Sequence, residues 1–368
     1  MNPLLQLHAL GQRVWLDNLS RTLLREGGLQ RLVSDDGVAG VTSNPTIFHK
    51  AMSSSRYYRD ELTALKQDPG LTPEARYEAL AVPDIQAACD VLRPLHDRTG
   101  GEDGYVSLEV SPALAHDTEG TVSAALRLRG MVRRDNVLIK VPATPAGITA
   151  IEELIGRGVS INVTLMFSLE HVNAVANAYL SGLERWAHGG GNVGRVKSVA
   201  SLFLSRVDTL VDQKLVSLAP SDKMLQGKAG VALARLAYQE YRKNFKSERF
   251  ASLAARGARA QYMLWASTGT KNPEYSDVLY VEPLIGPETI NTMPDATLAA
   301  FRDHGRAALT LEQEVDAAQR HFETLGNLGI DMREVGETLQ TEGVKLFVQS
   351  FDELLALMAQ PATVTARA

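Results

Sequence analysis

Short stretches of Val, Ile, Leu and aromatic residues recur along the chain, and longer segments between them place apolar residues every three or four positions. The short stretches have the length and composition of β-strands, whereas the longer segments have the period of amphipathic helices. The predicted strands, each running into a loop, are 13–20, 37–45, 104–112, 136–144, 159–168, 195–206, 260–268 and 277–286. A strand followed by a helix about eight times over predicts a parallel sheet with right-handed crossovers.

Eight strand–helix units favour an α/β architecture of the closed (β/α)₈ TIM-barrel type, with an open doubly wound sheet as the alternative. Residues 1–368 are predicted to form a single barrel domain. Helical insertions are expected near 49–83, after the second strand, and near 210–258, after the sixth. Residues 308–360 are predicted to form extra C-terminal helices, and the tail 361–368 is predicted to be disordered.

The predicted fourth strand, VLIKVPAT, carries a lysine among aliphatic residues. Side chains alternate across a strand, so Val137, Ile139 and Val141 share one face. Leu138 and Lys140 share the other face. Because the entirely apolar face suits the layer between barrel and helices, Lys140 is predicted to point into the barrel, near the C-terminal end of its strand.

The same alternation places a polar side chain on the inward face near the end of several other predicted strands. These residues are Asp17, Thr42, Asn44, Glu109, Asn162, Thr164 and Ser201. The C-terminal ends of barrel strands are where active sites are built. Burying so many polar groups together is costly unless they pair or take part in chemistry, so the set as a whole predicts an active site.

Most of these residues, and Lys140, also have a purely structural interpretation. The structural alternatives are a helix or turn cap at Asp17, a turn at Asn44, an ion pair involving Glu109 or Lys140, and backbone hydrogen bonds from Thr164 or Asn162. The functional interpretation therefore depends on finding the residues together in one place.

The buried lysine indicates a particular chemistry. An apolar interior disfavours the ammonium form of a lysine, and a neutral amine can add to a carbonyl group to form a Schiff base. Glu109 and Asp17 are the acids available to move protons during addition, dehydration and C–C bond cleavage. A carboxylate beside Lys140 would instead favour the ammonium, so the balance depends on distances in the folded protein.

The composition mainly excludes certain partners and kinds of site. Apolar residues make up 45% and charged residues 22% of the 368 positions, as in soluble globular proteins. The net charge of −5 indicates neither a nucleic-acid nor a membrane partner. One cysteine, Cys89, cannot form an intrachain disulfide, and neither a signal peptide nor a transmembrane run is recognisable, so a cytoplasmic protein is expected. The eight histidines are scattered, so no metal site is predicted.

Seven segments are similar to motifs of the transaldolase family, in family order and at similar spacing. They are WLDNLSR, GVTSNPTIF, VSLEVSP, VLIKVPAT, INVTLMFS, WASTGTKNPEYSD and YVEPLIGPETINTMP. The last two resemble the longer-chain branch of the family, the bacterial and plant-like one, within the class I Schiff-base aldolases. The likeness covers nearly the whole chain.

The resemblance implies a role for each matching position. The implied catalytic residues are Lys140 as the Schiff-base lysine, Glu109 and Thr164 as the pair that holds a catalytic water, and Asp17 as the acid that handles the C4 hydroxyl proton. The implied substrate-binding residues are Asn44 and Asn162 at the dihydroxyacetone hydroxyls, Ser201 and Phe203 along the pocket, and Arg206, Ser267 and Lys271 at the phosphate. No cofactor and no metal are implied, because the protonated imine is the electron sink.

Two segments depart from the family pattern. The family often has Ser-Pro-Phe-x-Gly-Arg after the sixth strand, whereas this chain has Ser-Leu-Phe-Leu-Ser-Arg at 201–206. The family often has an arginine two places beyond Ser267, whereas here Thr268, Gly269, Thr270 and Lys271 follow. A lysine binds phosphate as a point charge and cannot form the bidentate contact of an arginine.

The implied reaction transfers a dihydroxyacetone unit from sedoheptulose 7-phosphate to glyceraldehyde 3-phosphate. The products are erythrose 4-phosphate and fructose 6-phosphate, as in the non-oxidative pentose phosphate pathway. The alternatives are an aldolase of the fructose-6-phosphate type, which releases free dihydroxyacetone, and a barrel that binds sugar phosphates without catalysis. The expected partners are sugar phosphates, and a homodimer is left open.

One further motif points elsewhere. HGGGNVG, residues 188–194, contains the Gly-x-Gly-x-x-Gly spacing of a dinucleotide-binding fingerprint. That fingerprint requires a strand before it and a helix after it, but here a predicted helix precedes and a predicted strand follows. The motif is therefore interpreted as a flexible helix-to-strand loop.

Overall fold

A computed structural model describes residues 2–218 and 223–360. Eight parallel strands close into a barrel in the order of the sequence, which confirms the predicted (β/α)₈ fold over the open sheet. The strands are β1 (Gln12–Leu16), β2 (Val38–Val41), β3 (Tyr105–Glu109), β4 (Val137–Pro142), β5 (Ile161–Met166), β6 (Ser198–Phe203), β7 (Tyr262–Ala266) and β8 (Thr289–Met293). The tail 361–368, predicted to be disordered, lies outside the described residues.

Helices surround the barrel. They are α1 (Pro3–Ala9), α2 (Arg21–Arg25), α3 (Gly28–Asp36), α4 (Pro45–Ser54), α5 (Arg59–Gln67), α6 (Pro73–Arg98), α7 (Thr118–Val132), α8 (Pro145–Ile155), α9 (Leu169–His188), α10 (Ser205–Leu218), α11 (Ala229–Phe245), α12 (Glu248–Ala254), α13 (Asp295–His304), α14 (Val315–Asn327) and α15 (Met332–Ala359). Short 3₁₀ turns lie at Arg56–Tyr58, Pro112–Leu114, Val193–Arg195, Lys223–Leu225 and Glu282–Leu284. None of the helices in the described ranges combines the length and hydropathy that a membrane span requires.

The extra helices lie where the sequence predicts them. Helices α4 to α6 connect β2 to β3, α10 to α12 connect β6 to β7, and α14 and α15 follow the barrel. The last helix packs against α4, α6, α10 and β5, and thus lies over the C-terminal mouth of the barrel. Gln340 secures it there, because its Nε2 donates to the carbonyls of Ala143 (2.9 Å) and Leu165 (3.1 Å).

The eighth strand is not where the sequence places it. Residues 277–286 form a loop with one 3₁₀ turn, and the strand is Thr289–Met293. Most apolar residues of 277–286 are buried all the same, including Val281 and Ile285. Pro283 has no backbone N–H to donate to a strand ladder, and the real strand, TINTM, is too polar to stand out by composition. The prediction of a strand at 277–286 was wrong because these residues are buried like those of a strand but do not pair with one.

The registers of the central strands bring the polar residues into a row. Glu109 on β3 lies opposite Lys140 on β4, and Lys140 lies opposite Asn162 on β5. The alternate residues of β4 face the helices and are almost completely buried, as the alternation predicts. Lys140 therefore stands between two polar neighbours from adjacent strands inside the barrel.

Candidate active site

Lys140 lies deep in the barrel, and its side chain is 6% exposed. Its Nζ is 3.2 Å from Oε2 of Glu109 and donates a hydrogen bond of 3.3 Å to the carbonyl of Ser43. The ring of Phe347, from α15, has its centroid 5.6 Å from the same nitrogen. The amine is thus held by a carboxylate, a carbonyl and an aromatic face, in a site almost closed to solvent.

Glu109 is buried, and its setting makes it a ready proton acceptor. Loss of solvation raises the pKa of its carboxyl above the ordinary 4.5, while the charge of Lys140 opposes that change. Although Oε2 lies within ion-pair distance of Lys140, its geometry is outside that of a hydrogen bond, and this oxygen has no other partner in the described residues. It is therefore free to accept a proton or a further hydrogen bond.

Asp17 is the second acid. Its Oδ1 accepts a hydrogen bond of 2.6 Å from Oγ1 of Thr42, which in turn lies 2.8 Å from Oγ1 of Thr292. The carboxylate lines the cavity on one side and is surrounded by protein on the others. This loss of solvation raises its pKa above 3.8, with the Thr42 hydrogen bond and Lys140 acting in the opposite direction. Two carboxyls with raised pKa values therefore lie near one amine, Glu109 in direct contact with it and Asp17 on the same cavity.

Thr164 follows an irregularity in β5. The pairing of β5 with β6 changes register between Val163 and Met166, and Leu165 has a φ of 58°. A left-handed backbone is uncommon for leucine, and such conformations cluster at functional sites. Oγ1 of Thr164 is buried and has no hydrogen-bond partner among the described residues. Thr164 and Glu109 thus offer unpartnered polar atoms on the two strands beside Lys140.

A cavity of about 640 Å³ opens at the C-terminal ends of the strands. Its size suits a small metabolite. The lining includes strand residues, the first turn of α10, the loop after β7 and one face of α15. Lys140 lies at its inner end, and the enclosing helix limits access of bulk water to that end.

Arg206 provides positive charge on the first turn of α10. Its Cζ lies 5.3 Å from the ring centroid of Phe203 and 5.9 Å from that of Phe347. Burial lowers its pKa, with Asp17 and Glu109 opposing the change, but a guanidinium remains charged in proteins. Its Nη1 is buried without a hydrogen-bond partner in the described ranges. A half-buried guanidinium with an unpartnered N–H group at a helix N-terminus is suited to bind an anion.

Ser267 and Lys271 lie beside Arg206. Ser267 has a φ of 55°, and its Oγ is 2.8 Å from Oγ of Ser205, the residue before the arginine. Lys271 is exposed, lines the same cavity, and forms no ion pair within the part of the chain that the structure describes. The three residues could together hold a phosphate.

The loop that carries Lys271 is fastened to α10 by two tyrosines. The hydroxyl of Tyr280 donates to Oδ2 of Asp208 at 2.7 Å, and that of Tyr275 donates to Oδ2 of Asp212 at 2.8 Å. A Cβ on Gly227 would lie 2.8 Å from the ring of Tyr275, and its φ of 67° also favours glycine. The helix that bears Arg206 therefore also positions the lysine.

Comparison with known proteins identifies the family. The sequence profile of the Transaldolase/Fructose-6-phosphate aldolase family matches residues 14–358. A protein named Transaldolase from Thiobacillus denitrificans is 53% identical over 357 residues, which is 97% of this chain and 99% of that protein.

The chain belongs to the transaldolase/fructose-6-phosphate aldolase family.

Two more relatives agree with this assignment. Transaldolase from Neisseria gonorrhoeae is 47% identical over 356 residues, covering 97% of this chain and 99% of its own. Transaldolase 2 from a Nostoc species is 42% identical over 367 residues, covering 96% of each chain. The resemblance to transaldolases seen in the sequence motifs is thus confirmed over nearly the whole length.

Nine of the eleven predicted site residues line the cavity at the C-terminal ends of the strands. They are Asp17, Asn44, Lys140, Thr164, Ser201, Phe203, Arg206, Ser267 and Lys271. Glu109 is the tenth, and it reaches Lys140 from behind the cavity wall. The geometry therefore brings together what the sequence predicts, while the role of each residue stays a prediction.

Asn162 and Asn44 are partly engaged in structural hydrogen bonds. Nδ2 of Asn162 donates to Oγ of Ser107 at 2.9 Å, and its Oδ1 accepts from Oγ of Ser201 at 2.7 Å. Asn162 is fully buried and lies outside the cavity lining. Oδ1 of Asn44 accepts from the backbone N–H of Ile47 and caps α4, so only its NH₂ group remains for a ligand. In this state Asn162 holds Ser201 in place.

The sequence did not identify several lining residues. Thr292 was overlooked because the eighth strand was misplaced. The residues from α15 that line the cavity are Leu339, Glu342, Leu346 and Phe347. They occur more than 190 positions after Lys140 in an ordinary amphipathic helix, so no local signal in the sequence distinguishes them from core residues.

Proposed function

We propose that this chain catalyses the transaldolase reaction through a Schiff base on Lys140. The observation that supports the proposal most directly is the lysine amine 3.2 Å from a buried carboxylate, with a second carboxylate lining the same cavity. A nucleophilic amine flanked by two acids with raised pKa values can perform both addition to a ketone and C–C cleavage.

The first steps form the covalent intermediate. Lys140 passes its proton to Glu109, and the neutral amine attacks the C2 ketone of sedoheptulose 7-phosphate. Glu109 then returns a proton to the carbinolamine hydroxyl through a water bound between its carboxyl and Oγ1 of Thr164, and water leaves. The unpartnered atoms of Glu109 and Thr164 on the strands beside β4 support this assignment.

Cleavage and transfer follow. The Asp17 carboxylate takes the C4 hydroxyl proton, the C3–C4 bond breaks, and its electron pair moves into the imine to give an enamine. Erythrose 4-phosphate leaves. The enamine attacks the aldehyde of glyceraldehyde 3-phosphate, Asp17 returns the proton to the new hydroxyl, and water hydrolyses the imine to fructose 6-phosphate and free Lys140. α15 over the mouth keeps bulk water from protonating the enamine.

The substrate-binding roles are proposed from position. Arg206, Ser267 and Lys271 would bind the phosphate, and the NH₂ group of Asn44 would donate to a hydroxyl of the dihydroxyacetone unit. Ser201 and Phe203 would line the path between them. The unpartnered guanidinium of Arg206 supports the phosphate assignment most strongly.

Borohydride reduction tests the covalent step. Incubation with fructose 6-phosphate and borohydride should add one reduced dihydroxyacetone unit to the chain, and peptide mapping should locate it on Lys140. No adduct, or an adduct on another lysine, would overturn the mechanism. The non-catalytic sugar-phosphate-binding barrel predicts no adduct at all.

Dependence on the acceptor separates transfer from simple aldol cleavage. Turnover of fructose 6-phosphate should require erythrose 4-phosphate, and little free dihydroxyacetone should appear without it. The family name covers both activities, so this assay decides between them. Turnover at the same rate without the acceptor would favour the aldolase.

The Tyr275→Phe variant tests the anchoring of the Lys271 loop. The hydrogen bond to Asp212 contributes roughly 1.5–3 kcal/mol to holding the loop. Part of that free energy is lost from phosphate binding when the loop is less restrained, so KM for phosphorylated substrates should rise about threefold to tenfold. The kcat should change little, and KM for unphosphorylated fructose should not change.

Tyr57→Phe is the matched control. It removes a hydrogen bond between a tyrosine and the carboxylate of Glu26 at the surface, in the turn between α4 and α5. An equal KM increase in both variants, or an increase that also affects fructose, would mean that the Tyr275 hydrogen bond does not act through phosphate binding.

A further inference from the structure

A second cavity, of about 660 Å³, lies at the opposite end of the barrel. The loops that enter β3 to β7 surround it, through Gly100 and Gly101 before β3, Asp135 before β4, Gly158 before β5, and Arg259 before β7. This is the amino-terminal face, whose residues usually serve stability. A cavity as large as the candidate active site at this face calls for another explanation than packing.

Arginine dominates the lining of this cavity. The five are Arg129, Arg133, Arg134, Arg195 and Arg259, and Asp135 is the one carboxylate that lines the cavity among the described residues. So many like charges in one concavity repel each other unless counter-charges are near. The pairing of each arginine therefore decides what the cavity can bind.

Two of the five arginines are already paired. Arg134 forms a bidentate ion pair with Asp90, with contacts of 2.6 and 2.9 Å. Arg259 donates to the backbone carbonyls of Gly100 and Gly101 and lies 3.2 Å from Glu102. Glu102 is shared with Lys197, whose Nζ lies 3.0 Å from its other oxygen, so only Arg134 has a carboxylate of its own. Both arginine side chains are held in place and form part of the rim.

The other three are exposed to solvent at the mouth of the cavity and have no carboxylate partner within residues 2–218 and 223–360. Arg133 donates only to the carbonyl of Gly130, and no ion pair or side-chain hydrogen bond is formed by Arg129 or Arg195. Three guanidinium groups against Asp135 leave a local charge of about +2, which a phosphate monoester at pH 7, with about −1.5 to −2, would neutralise.

The glycine-rich motif explains the shape of the wall. Helix α9 ends at His188, the first residue of the motif, and β6 follows after a 3₁₀ turn at Val193–Arg195. The order of helix before strand is the one that the sequence predicts, so the motif is not a dinucleotide fingerprint. A Cβ on Gly191 would lie 2.1 Å from the ring of Trp186, and one on Gly158 would lie 2.7 Å from it. The two glycines let the indole lie flat in the wall. Its buried Nε1 has no hydrogen-bond partner among the described residues.

We propose that this cavity, here called the arginine cavity, binds a small molecule that carries a phosphate monoester. The three unpaired arginines would hold the phosphate, and the indole of Trp186 would contact the remainder. The volume lies within the range of small-molecule sites. A single concavity with a local charge near +2 suits one phosphate group better than a nucleic acid, which needs an extended basic surface.

Equilibrium dialysis with fructose 6-phosphate and with inorganic phosphate tests the proposal and distinguishes the two sources of phosphate. The wild-type chain should bind two equivalents of fructose 6-phosphate, one in each cavity. The double variant Arg129→Ala/Arg195→Ala should lose the equivalent in the arginine cavity, or bind it at least tenfold more weakly. Arg206→Ala should retain the equivalent in the arginine cavity. Binding of inorganic phosphate as well would show that the phosphate group alone is recognised.

Arg320→Ala is the matched control, because Arg320 is exposed on α14 and forms no ion pair with the described residues. It should leave both equivalents unchanged. The proposal fails if wild type binds a single equivalent that only Arg206→Ala removes, or if Arg320→Ala weakens binding as much as the double variant does. Borohydride trapping on Lys140 remains a separate measurement, so failure here leaves the proposed function intact.

Discussion

Lys140→Met is expected to lower kcat for dihydroxyacetone transfer by about 10⁴-fold or more, the scale seen when an enzyme loses its covalent nucleophile. Methionine has nearly the length of lysine but no amine, so neither the imine nor the enamine can form. Mass spectrometry after borohydride treatment should detect no adduct with fructose 6-phosphate. A variant that retained more than a hundredth of wild-type kcat would show that the covalent intermediate is not on this residue.

The same substitution has a cost in stability, because it leaves Glu109 buried without its counter-charge. Removing one partner of a buried ion pair typically destabilises by about 3–5 kcal/mol. The pKa of Glu109 is already raised by burial, and loss of Lys140 raises it further. The folded state then binds more protons than the unfolded state above pH 4.5, so the stability deficit of the variant grows as pH rises.

Lys140→Met/Glu109→Gln is the control for this effect. The neutral amide removes the uncompensated charge, so urea unfolding should show most of the lost free energy restored and its pH dependence reduced. The double variant should remain inactive. If it is no more stable than Lys140→Met at pH 8, the ion pair is not the source of the stability difference.

Asp17→Asn is expected to lower kcat/KM by about 10²–10⁴-fold, the usual contribution of a general base. Asparagine keeps the size of the side chain and an oxygen that accepts from Thr42, but it cannot take the C4 hydroxyl proton. Because Lys140 is unchanged, borohydride should still trap an adduct with sedoheptulose 7-phosphate, now as the whole uncleaved sugar. A trapped three-carbon unit in wild-type yield would contradict the assigned role.

The pH profile of the wild-type enzyme provides a further check on Asp17. Only the carboxylate accepts a proton, so activity should fall as pH drops through its pKa. Since burial raises that pKa, the acid limb should lie above the ordinary 3.8. The negative charge of Asp295 also raises the pKa of Asp17, so Asp295→Asn should move the acid limb of the profile to lower pH. An acid limb at the wild-type pH in both Asp17→Asn and Asp295→Asn would assign the limb to another group.

Most of the candidate site follows from one local rule. Alternation along a strand separates Lys140 from its aliphatic neighbours and directs it inward, and the same rule applies to Asp17, Glu109 and Thr164. Parallel strands with helical connections place their C-terminal ends on one side, so inward residues from different strands converge there. The rule failed for β8, where a buried loop has the composition of a strand and the strand itself is polar.

The distances between the site residues, and the helix that covers them, depend on the closed barrel. The 3.2 Å contact of Lys140 with Glu109 requires the register of β3 on β4, and Phe347 reaches the lysine only because α15 folds back over the mouth. The folded structure also shows that the side chain of Asn162 is hydrogen-bonded to Ser107 and Ser201. The pairing of charges decides which arginines of the arginine cavity remain free.

The period of apolar residues and the alternation across strands are local properties, so the amino-acid sequence alone was enough to predict the barrel, its insertions and the inward lysine. Which carboxylate contacts that lysine, what covers it, and where uncompensated positive charge collects depend on residues up to two hundred positions apart. Those contacts arise from strand register and helix packing, and they exist only once the chain has folded.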